Sequence, residues 1–504
     1  MACRLAEPYS EPASKGIVLM NYVVLGAGPA GVTAAETLRS VDPNATITMI
    51  GGEPEPPYSR MALPYLIYGK IDEGGTYLRQ DPAHYDEQRI RYIMGRCGGI
   101  DSRAKQVYLS TGETLPYDKL LIATGANPIR PPIPGSNLEG VENCWTLADA
   151  RKILEYADKG SPVVLVGAGF IGSIILEALY LRGCQITVVE LAPRMVARMM
   201  DETAGGMLGR WCESKGVQVL TNTRVTSISK GEEGGPRLSV RFSNGLSAPA
   251  DLAVLAVGVR SNTGFLVGSG VAVNTGIIVD EYLQTTAPDI YAAGDCCEGI
   301  DLSTGKPDML AIQPVAVEHG RIAALNMAGH QQRHRGSLNM NVLDTMGLIS
   351  SSFGLWQGAQ VGETGKLVDE GTFKYMKLEF EGDKLDLAKW TVGMYWWKGR
   401  QPALFSEKNV TVSDGKLHLT MRKEKVPEEF EKRGYTDYTS AALHTKDRSS
   451  YGYYEVKAKP MDSGGSSSFW FQVDDFPGWL TEIDVFEIVG KAKGFERKYN
   501  MNLH

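Results

Sequence analysis

The sequence predicts an α/β fold with two Rossmann-like dinucleotide-binding units, followed by an all-β segment. Three observations carry this expectation. A glycine fingerprint occurs twice, as Gly26-Ala27-Gly28-Pro29-Ala30-Gly31 and as Gly167-Ala168-Gly169-Phe170-Ile171-Gly172. Strand-like and helix-like runs alternate from Asn21 to about His330. From about Asp386 the chain turns aromatic and strand-like, with Trp390, Tyr395-Trp396-Trp397, Trp470 and Trp479.

Each fingerprint follows an apolar run, Tyr22-Val23-Val24-Leu25 or Val163-Val164-Leu165-Val166, and opens into an Ala/Leu-rich segment. In that context the first Gly permits a tight turn and the second lets backbone approach a pyrophosphate. The third lets helix and strand pack closely, with phosphate on the helix N-terminus. Two such sites imply two dinucleotides. FAD with NAD(P)H is the usual pair, because hydride transfer needs a donor and an acceptor stacked together.

A chain of 504 residues is too long for one core. Its net charge of −7 argues against nucleic-acid partners. No apolar run approaches the ~20 residues of a membrane helix. The stretch Met1–Gly16 has no apolar secretory core, so a cytoplasmic location is expected, with residues 1–19 a disordered extension. The seven cysteines are scattered without CxxC or zinc spacing, so no metal is expected. Adjacent Cys296 and Cys297 read as two thiols at a strand end.

Further strands are expected at Ile47–Ile50, Leu120–Gly125, Ile186–Glu190, Leu252–Gly258 and Ile290–Asp295. With the two fingerprints, the motifs Ala123-Thr124-Gly125-Ala126-Asn127-Pro128 and Thr286-Ala287-Pro288-Asp289-Ile290-Tyr291-Ala292-Ala293-Gly294-Asp295 resemble the FAD-dependent pyridine-nucleotide-disulfide oxidoreductase superfamily. The reductases of ferredoxin, rubredoxin and nitrite-reductase type are the most similar within it. The resemblance covers about residues 20–385. It implies an NAD domain (118–245) inserted into an FAD domain (20–117 and 246–332), then a partial interface domain (333–385). It also implies FAD contacts at Gly26, Gly28, Gly31, Thr124, Gly125, Gly294 and Asp295, the last on the ribityl chain. Arg60, in Pro57-Tyr58-Ser59-Arg60, matches a position near the FAD phosphates. Contacts to NAD fall at Gly167, Gly169, Gly172 and Gly258. The activity implied is hydride transfer from NADH to FAD, with electrons passed to an acceptor, either a carrier protein or a small molecule.

Glu190 ends its strand about 18 residues past Gly172. A carboxylate there accepts from the ribose hydroxyls and repels a 2′-phosphate, which favours NADH over NADPH. Arg194 and Arg198, just beyond, argue the other way with less weight. In the first unit Ile50 is followed by Gly51-Gly52, so Glu53 is the candidate for the FAD ribose.

Disulfide-active relatives carry a redox Cys where this chain has Met61, so disulfide reduction is not expected. Ferredoxin-reductase-like relatives place a Lys and a Glu near the flavin at positions matching Tyr65 and Ile174, and both are absent here. Glu177 keeps a second family glutamate. His319 is read as beginning a helix that, in the family, approaches the flavin ring.

Past Asp386, alternating runs such as Lys416–Met421 and Gly452–Lys459 signal antiparallel sheet. Glu482-Ile483-Asp484-Val485-Phe486-Glu487 places its acids on one face only if a β-bulge falls at Val485-Phe486. Together with Asn409–Leu417 and Ser450–Val456, this segment resembles family 16 glycoside hydrolases, the β-jelly-roll agarases, carrageenases and laminarinases. That resemblance implies Glu482 as nucleophile, Asp484 as its assistant and Glu487 as acid/base. Residues 386–504 are about half of such a domain. The expectation is therefore a truncated jelly-roll tail without hydrolase activity, with a retaining endo-glycoside hydrolase of a galactan polysaccharide or a non-catalytic sugar-binding module as the alternatives, joined near 383–389 by a natural, engineered or misassembled fusion. Polysaccharide contact through this tail and homodimer formation are both left open.

Overall fold

The computed structural model describes residues 19–354, 363–371, 373–380, 390–393, 398–399, 401–413, 416–445, 466–476, 479–489 and 500–503. The expected extension (1–18), the strand at 452–459 and the seam at 383–389 lie outside them. The chain divides into two compact units between residues 381 and 382.

The first unit runs β1 (Asn21–Leu25), α1 (Pro29–Val41), β2 (Thr46–Gly51), β3 (Ile90–Met94), β4 (Lys119–Ile122) and β5 (Val141–Glu142). It continues with α2 (Leu147–Tyr156), β6 (Pro162–Val166), α3 (Phe170–Leu181), β7 (Gln185–Val189), α4 (Glu202–Ser214), β8 (Gln218–Leu220) and β9 (Leu252–Leu255). Then come β10 (Ile290–Ala292) and α5 (Gln313–Met327). Two parallel five-stranded sheets result, ordered β10-β4-β1-β2-β3 and β8-β7-β6-β9-β5.

Continuous apolar strands suit parallel sheets because both faces are covered. Tyr22 and Val24 pack with Ala34, Leu38 and Ala323 on one face of the first sheet. Val23 and Leu25 pack with Leu120, Ile122 and Ile290 on the other. In each sheet the strand before the fingerprint has its two parallel neighbours on opposite sides, β2 and β4 about β1, β7 and β9 about β6. Strand order reverses there, which opens a crevice beyond the strand's carboxyl end. Both fingerprints therefore lie at switch points.

After α5 a hairpin pairs β11 (Met340–Thr345) with β12 (Leu348–Phe353). Its turn residues Met346 and Gly347 both have positive φ, 53° and 86°, as a two-residue hairpin turn requires. The hairpin docks on α3. The Glu177 carboxylate accepts the Met346 amide, and Trp211 Nε1 donates to the Thr345 carbonyl at 2.8 Å. A second hairpin joins β13 (Glu363–Asp369) to β14 (Lys374–Phe380).

The second unit is strand-rich. Ala403–Phe405 pairs with Tyr438–Ser440, and Val410–Ser413 with Lys416–Leu419. Leu404, Val426 and Tyr435 form a small buried cluster. Buried Asn409 ties the chain inward, its Nδ2 donating to Thr439 Oγ1 at 2.9 Å. A three-stranded antiparallel sheet joins β15 (Ser466–Phe476), β16 (Trp479–Val489) and β17 (Asn500–Leu503). Among the described residues no helix is long and apolar enough to cross a membrane.

Candidate dinucleotide sites

The two fingerprints share one geometry. Gly26 and Gly167 have φ of +115° and +100°, open to glycine but strained for other residues. A Cβ on Gly26 would strike the Ala123 carbonyl, and one on Gly167 the Ala256 carbonyl. Cβ atoms on Gly31 and Gly172 would strike the carbonyls of Gly26 and Gly167, so each helix lies directly on its own turn. The middle glycines differ. A Cβ on Gly28 or Gly169 would meet nothing within 4 Å. Each is the N-cap of a helix, α1 or α3, whose first turn carries no acid. Space, free backbone amides and the positive end of a helix dipole together suit a pyrophosphate. Both cradles fit the expected dinucleotides.

Around the first cradle, Gly294 at φ +76° lets a tight turn pass between α1 and α5. A Cβ there would lie 3.3 Å from Ala30 Cβ and 3.4 Å from Ala316 Cβ. Asp295 follows. Burial pushes its carboxyl up to about 6, and the Arg60 guanidinium opposes that shift. Ser261 Oγ donates to the Asp295 carbonyl at 2.8 Å. The turn after β4 is locked by Thr124 Oγ1 donating to the Asn262 carbonyl and by the Asn262 amide donating to Gly125, both at 2.9 Å. Gly125 itself is at φ +64°.

Arg60 is partly exposed but anchored by several contacts. It pairs with Glu53 at 2.6 Å, donates to the Trp145 carbonyl, and lies 5.6 Å and 5.3 Å from the Tyr58 and Trp145 ring centroids. Tyr58 donates its hydroxyl to the same Glu53 carboxylate at 2.6 Å. Glu53 is thus engaged by Arg60 and Tyr58. The residue equivalent to Glu190 in the first unit is Gly51, because the Gly26 amide bonds Ile50 as the Gly167 amide bonds Val189, each at 2.8 Å. A Cβ at Gly51 would strike the Tyr92 hydroxyl, so no acid fits there.

At the second cradle Glu190 reaches the fingerprint. Its carboxylate accepts the Ala168 amide at 2.6 Å and the Ala192 amide at 2.8 Å. Gly258, at φ +116°, turns the chain after β9, and its carbonyl accepts the Ile129 amide at 2.9 Å.

His319 does not begin a helix. Helix α5 starts six residues earlier, at Gln313, whose side chain accepts from Ser59 Oγ at 2.6 Å. Pro314, in its first turn, suits that start. His319 is buried instead, its ring 4.5 Å from that of His334, with Nε2 lacking a partner. Burial, then His334, lowers its pKa to about 3. Its Nδ1 lies 3.7 Å from the Cys297 sulfur.

Met61 and Tyr65 are exposed, while Ile174 packs against the core of the second sheet. All six described cysteines are free, and burial raises the pKa of each. Among the described residues no cluster of three or more His, Cys, Asp or Glu could hold a metal ion. Partners that sequence reasoning did not name are Ser261, Asn262, Tyr92 and Gln313. Each acts through a contact distant in sequence, which no local motif signals.

In the second unit Glu482, Asp484 and Glu487 all lie on β16. Phe486 pairs with Phe469 and Asp484 with Trp470, which leaves Val485 as an extra residue. The pairing with β17 shifts over the same stretch, between Asp484 and Glu487.

The family described as pyridine nucleotide-disulphide oxidoreductase matches residues 20–320. The beta-porphyranase A-D GH16 domain matches residues 372–504. The NADH oxidase of Methanocaldococcus jannaschii is 32% identical over 332 residues, 64% of this chain and 73% of that protein. The rubredoxin-NAD(+) reductase of Pseudomonas putida is 30% identical over 311 residues, 62% of this chain and 80% of that protein. The crystal structure of the ferredoxin reductase for the CYP199A2 system from Rhodopseudomonas palustris superposes with a TM-score of 0.66 at 27% identity, covering 72% of this chain and 89% of that one. The two switch-point cradles and these relatives agree, and the chain belongs to the pyridine nucleotide-disulphide oxidoreductase family as an oxidoreductase that uses FAD and NADH.

Proposed function

We propose that the first cradle holds FAD and the second NADH, and that electrons leave to a one-electron carrier protein of the ferredoxin or rubredoxin class. The choice of a carrier protein rests on the similarity to the rubredoxin-NAD(+) reductase and the ferredoxin reductase, and the state of the thiols argues against a disulfide acceptor. Burial raises the pKa of all six described cysteines, so none offers the thiolate that disulfide exchange needs. Met61 occupies the position where disulfide-active relatives have one.

FAD, when bound, supplies the hydride-accepting and electron-passing chemistry. This chain's residues bind and orient it. Gly28 and the N-terminus of α1 receive the pyrophosphate, Asp295 the ribityl hydroxyls, and Arg60 supplies a fixed positive charge beside Asp295. Glu53 holds Arg60 in place. Glu190 and the N-terminus of α3 fix the nicotinamide nucleotide.

The test is stopped-flow reduction of the FAD-loaded chain by NADH, then reoxidation by ferredoxin, rubredoxin, dioxygen or a low-molecular-weight disulfide. Fastest reoxidation by a carrier protein is expected. Fastest reoxidation by dioxygen or by the disulfide would overturn the choice of acceptor.

The extra residue at Val485 favours a second reading for residues 466–503, as a strand descended from a carbohydrate-cleaving site. Glu482, Asp484 and Glu487 are its proposed acids. Reducing ends released from agarose by the chain but not by Glu482→Gln would support hydrolysis. Retention on agarose without release would restrict the segment to binding.

A further inference from the structure

The first unit has no acid where the second carries Glu190. The register places Gly51 there, and the Tyr92 hydroxyl fills the space that a side chain would need. Gly52 follows, also without a side chain. Glu53 and Glu55, the next acids, are already paired, with Arg60 and with Arg151, each at 2.6 Å. A dinucleotide entering this crevice therefore finds no free carboxylate at the end of β2 to accept from its ribose hydroxyls.

A guanidinium stands at that place instead. The Gly95 amide donates to the Gly51 carbonyl at 2.8 Å, which ties the loop after β3 to the end of β2. Arg96 comes next in that loop. Its Nε donates to the Gly52 carbonyl at 3.1 Å, and its Cγ would lie 3.5 Å from a Cβ on Gly52. Its own carbonyl accepts the Ser110 amide at 2.8 Å, so backbone and stem are both anchored. The side chain is exposed, and among the described residues its two Nη groups have no partner. Glu113, the acid on the adjoining hairpin, pairs with Arg91 at 3.1 Å.

Ribose hydroxyls can accept from a guanidinium as well as donate to a carboxylate. The two arrangements differ toward a phosphate on the ribose, which a carboxylate repels and a guanidinium binds. We propose that Arg96 is the ribose-binding residue of the first cradle. It donates to the adenosine hydroxyls of FAD, and it leaves this cradle open to adenosine nucleotides phosphorylated at the 2′ position. The proposal rests on the assignment of FAD to the first cradle.

The test uses the full chain stripped of flavin and follows FAD binding by calorimetry or by quenching of flavin fluorescence. Adenosine 2′,5′-bisphosphate and adenosine 5′-monophosphate, probes of the adenosine end alone, compete against FAD. The 2′-phosphorylated probe should displace FAD at an about tenfold lower concentration. Arg96→Gln should weaken FAD binding by about three- to tenfold and bring the two probes to within about twofold of each other. Arg96→Lys, which keeps the cation, should retain part of the preference, and a purely structural role for Arg96 would not follow the charge in this way. Equal displacement by the two probes in the unaltered chain, or an unchanged preference in Arg96→Gln, would overturn the proposal. Gly28→Ala separates the premise. Undiminished FAD binding in that variant would remove the assignment of FAD to this cradle, whereas undiminished FAD binding in Arg96→Gln would remove only the role of Arg96.

Discussion

The Glu190 carboxylate accepts the Ala168 amide proton at 2.6 Å, so the acid ending one strand is bonded to the middle of the fingerprint ending its neighbour. The bond spans 22 residues of sequence and fixes the carboxylate at the rim of the crevice. On the proposed assignment, a ribose bound there meets a preorganised acceptor rather than a mobile side chain.

Glu190→Ala should lower the efficiency of flavin reduction by NADH about ten- to a hundredfold, the scale of ~1–3 kcal/mol for a lost specific contact. Rapid-mixing measurement across NADH concentrations checks this. The loss should appear in the half-saturating concentration more than in the limiting rate, because the ribose does not react.

The fingerprint glycines should separate by role. Gly28→Ala places its methyl in open space, so the apo fold should lose less than about 1 kcal/mol. FAD content should nevertheless fall sharply, since that space is where the pyrophosphate would lie. Gly31→Ala drives a methyl into the Gly26 carbonyl and should destabilise the apo fold by about 1–3 kcal/mol. Melting curves and flavin content of the two purified variants distinguish these effects.

Asp295 makes a prediction about pH. Burial raises its carboxyl from the ordinary 3.8 to about 6, so the folded apo protein holds this proton more tightly than the unfolded chain. The cost of the buried charge is then full above about pH 6 and is relieved as pH falls toward 4. Asp295→Asn should stabilise the apo protein at pH 7.5 by roughly 2–3 kcal/mol, with the gain fading as pH falls from about 6 to 4 and gone below that. The same variant should retain FAD poorly. Melting of apo protein across pH, beside flavin content, tests both halves.

The buried pair His319 and His334 sets an acid limit. Burial lowers their pKa values from 6.5 to about 3 and about 4, so the unfolded chain takes up protons that the folded chain does not. Their contribution to stability is full above about pH 6.5 and is lost as pH falls toward 4 and 3. The melting temperature of the flavin-binding unit should drop through that window. His334→Gln should flatten the slope, and an unchanged slope would assign the acid sensitivity to other groups.

The nucleotide crevices were legible because their logic is local. Glycine spacing, a preceding apolar strand and an acid at the next strand's end all sit within about 25 residues of one another. His319 was misplaced because only a contact partner shows that it points inward, and His334 is 15 residues away on an irregular segment. The relation of Gly51 to Tyr92 was invisible for a similar reason: the hydroxyl comes from a neighbouring strand 41 residues later. Val485 could be anticipated because three acids at uneven spacing demand a break in alternation, and β16 has its register shift there.

Strand β10 pairs with β4 across 170 residues, with all of β5 through β9 lying between. On the ribosome this means that the first sheet waits with one side bare while the second is still being made. Prior folding of the intervening segment brings the two strands' flanks together and shortens the loop that must close. Asp295, the proposed ribityl contact, is synthesised only after β10, so the proposed flavin site is complete only once the whole intervening segment has been made. On that assignment cofactor insertion comes near the end of synthesis of the first unit, and a folding defect between β5 and β9 should surface as a shortage of bound flavin.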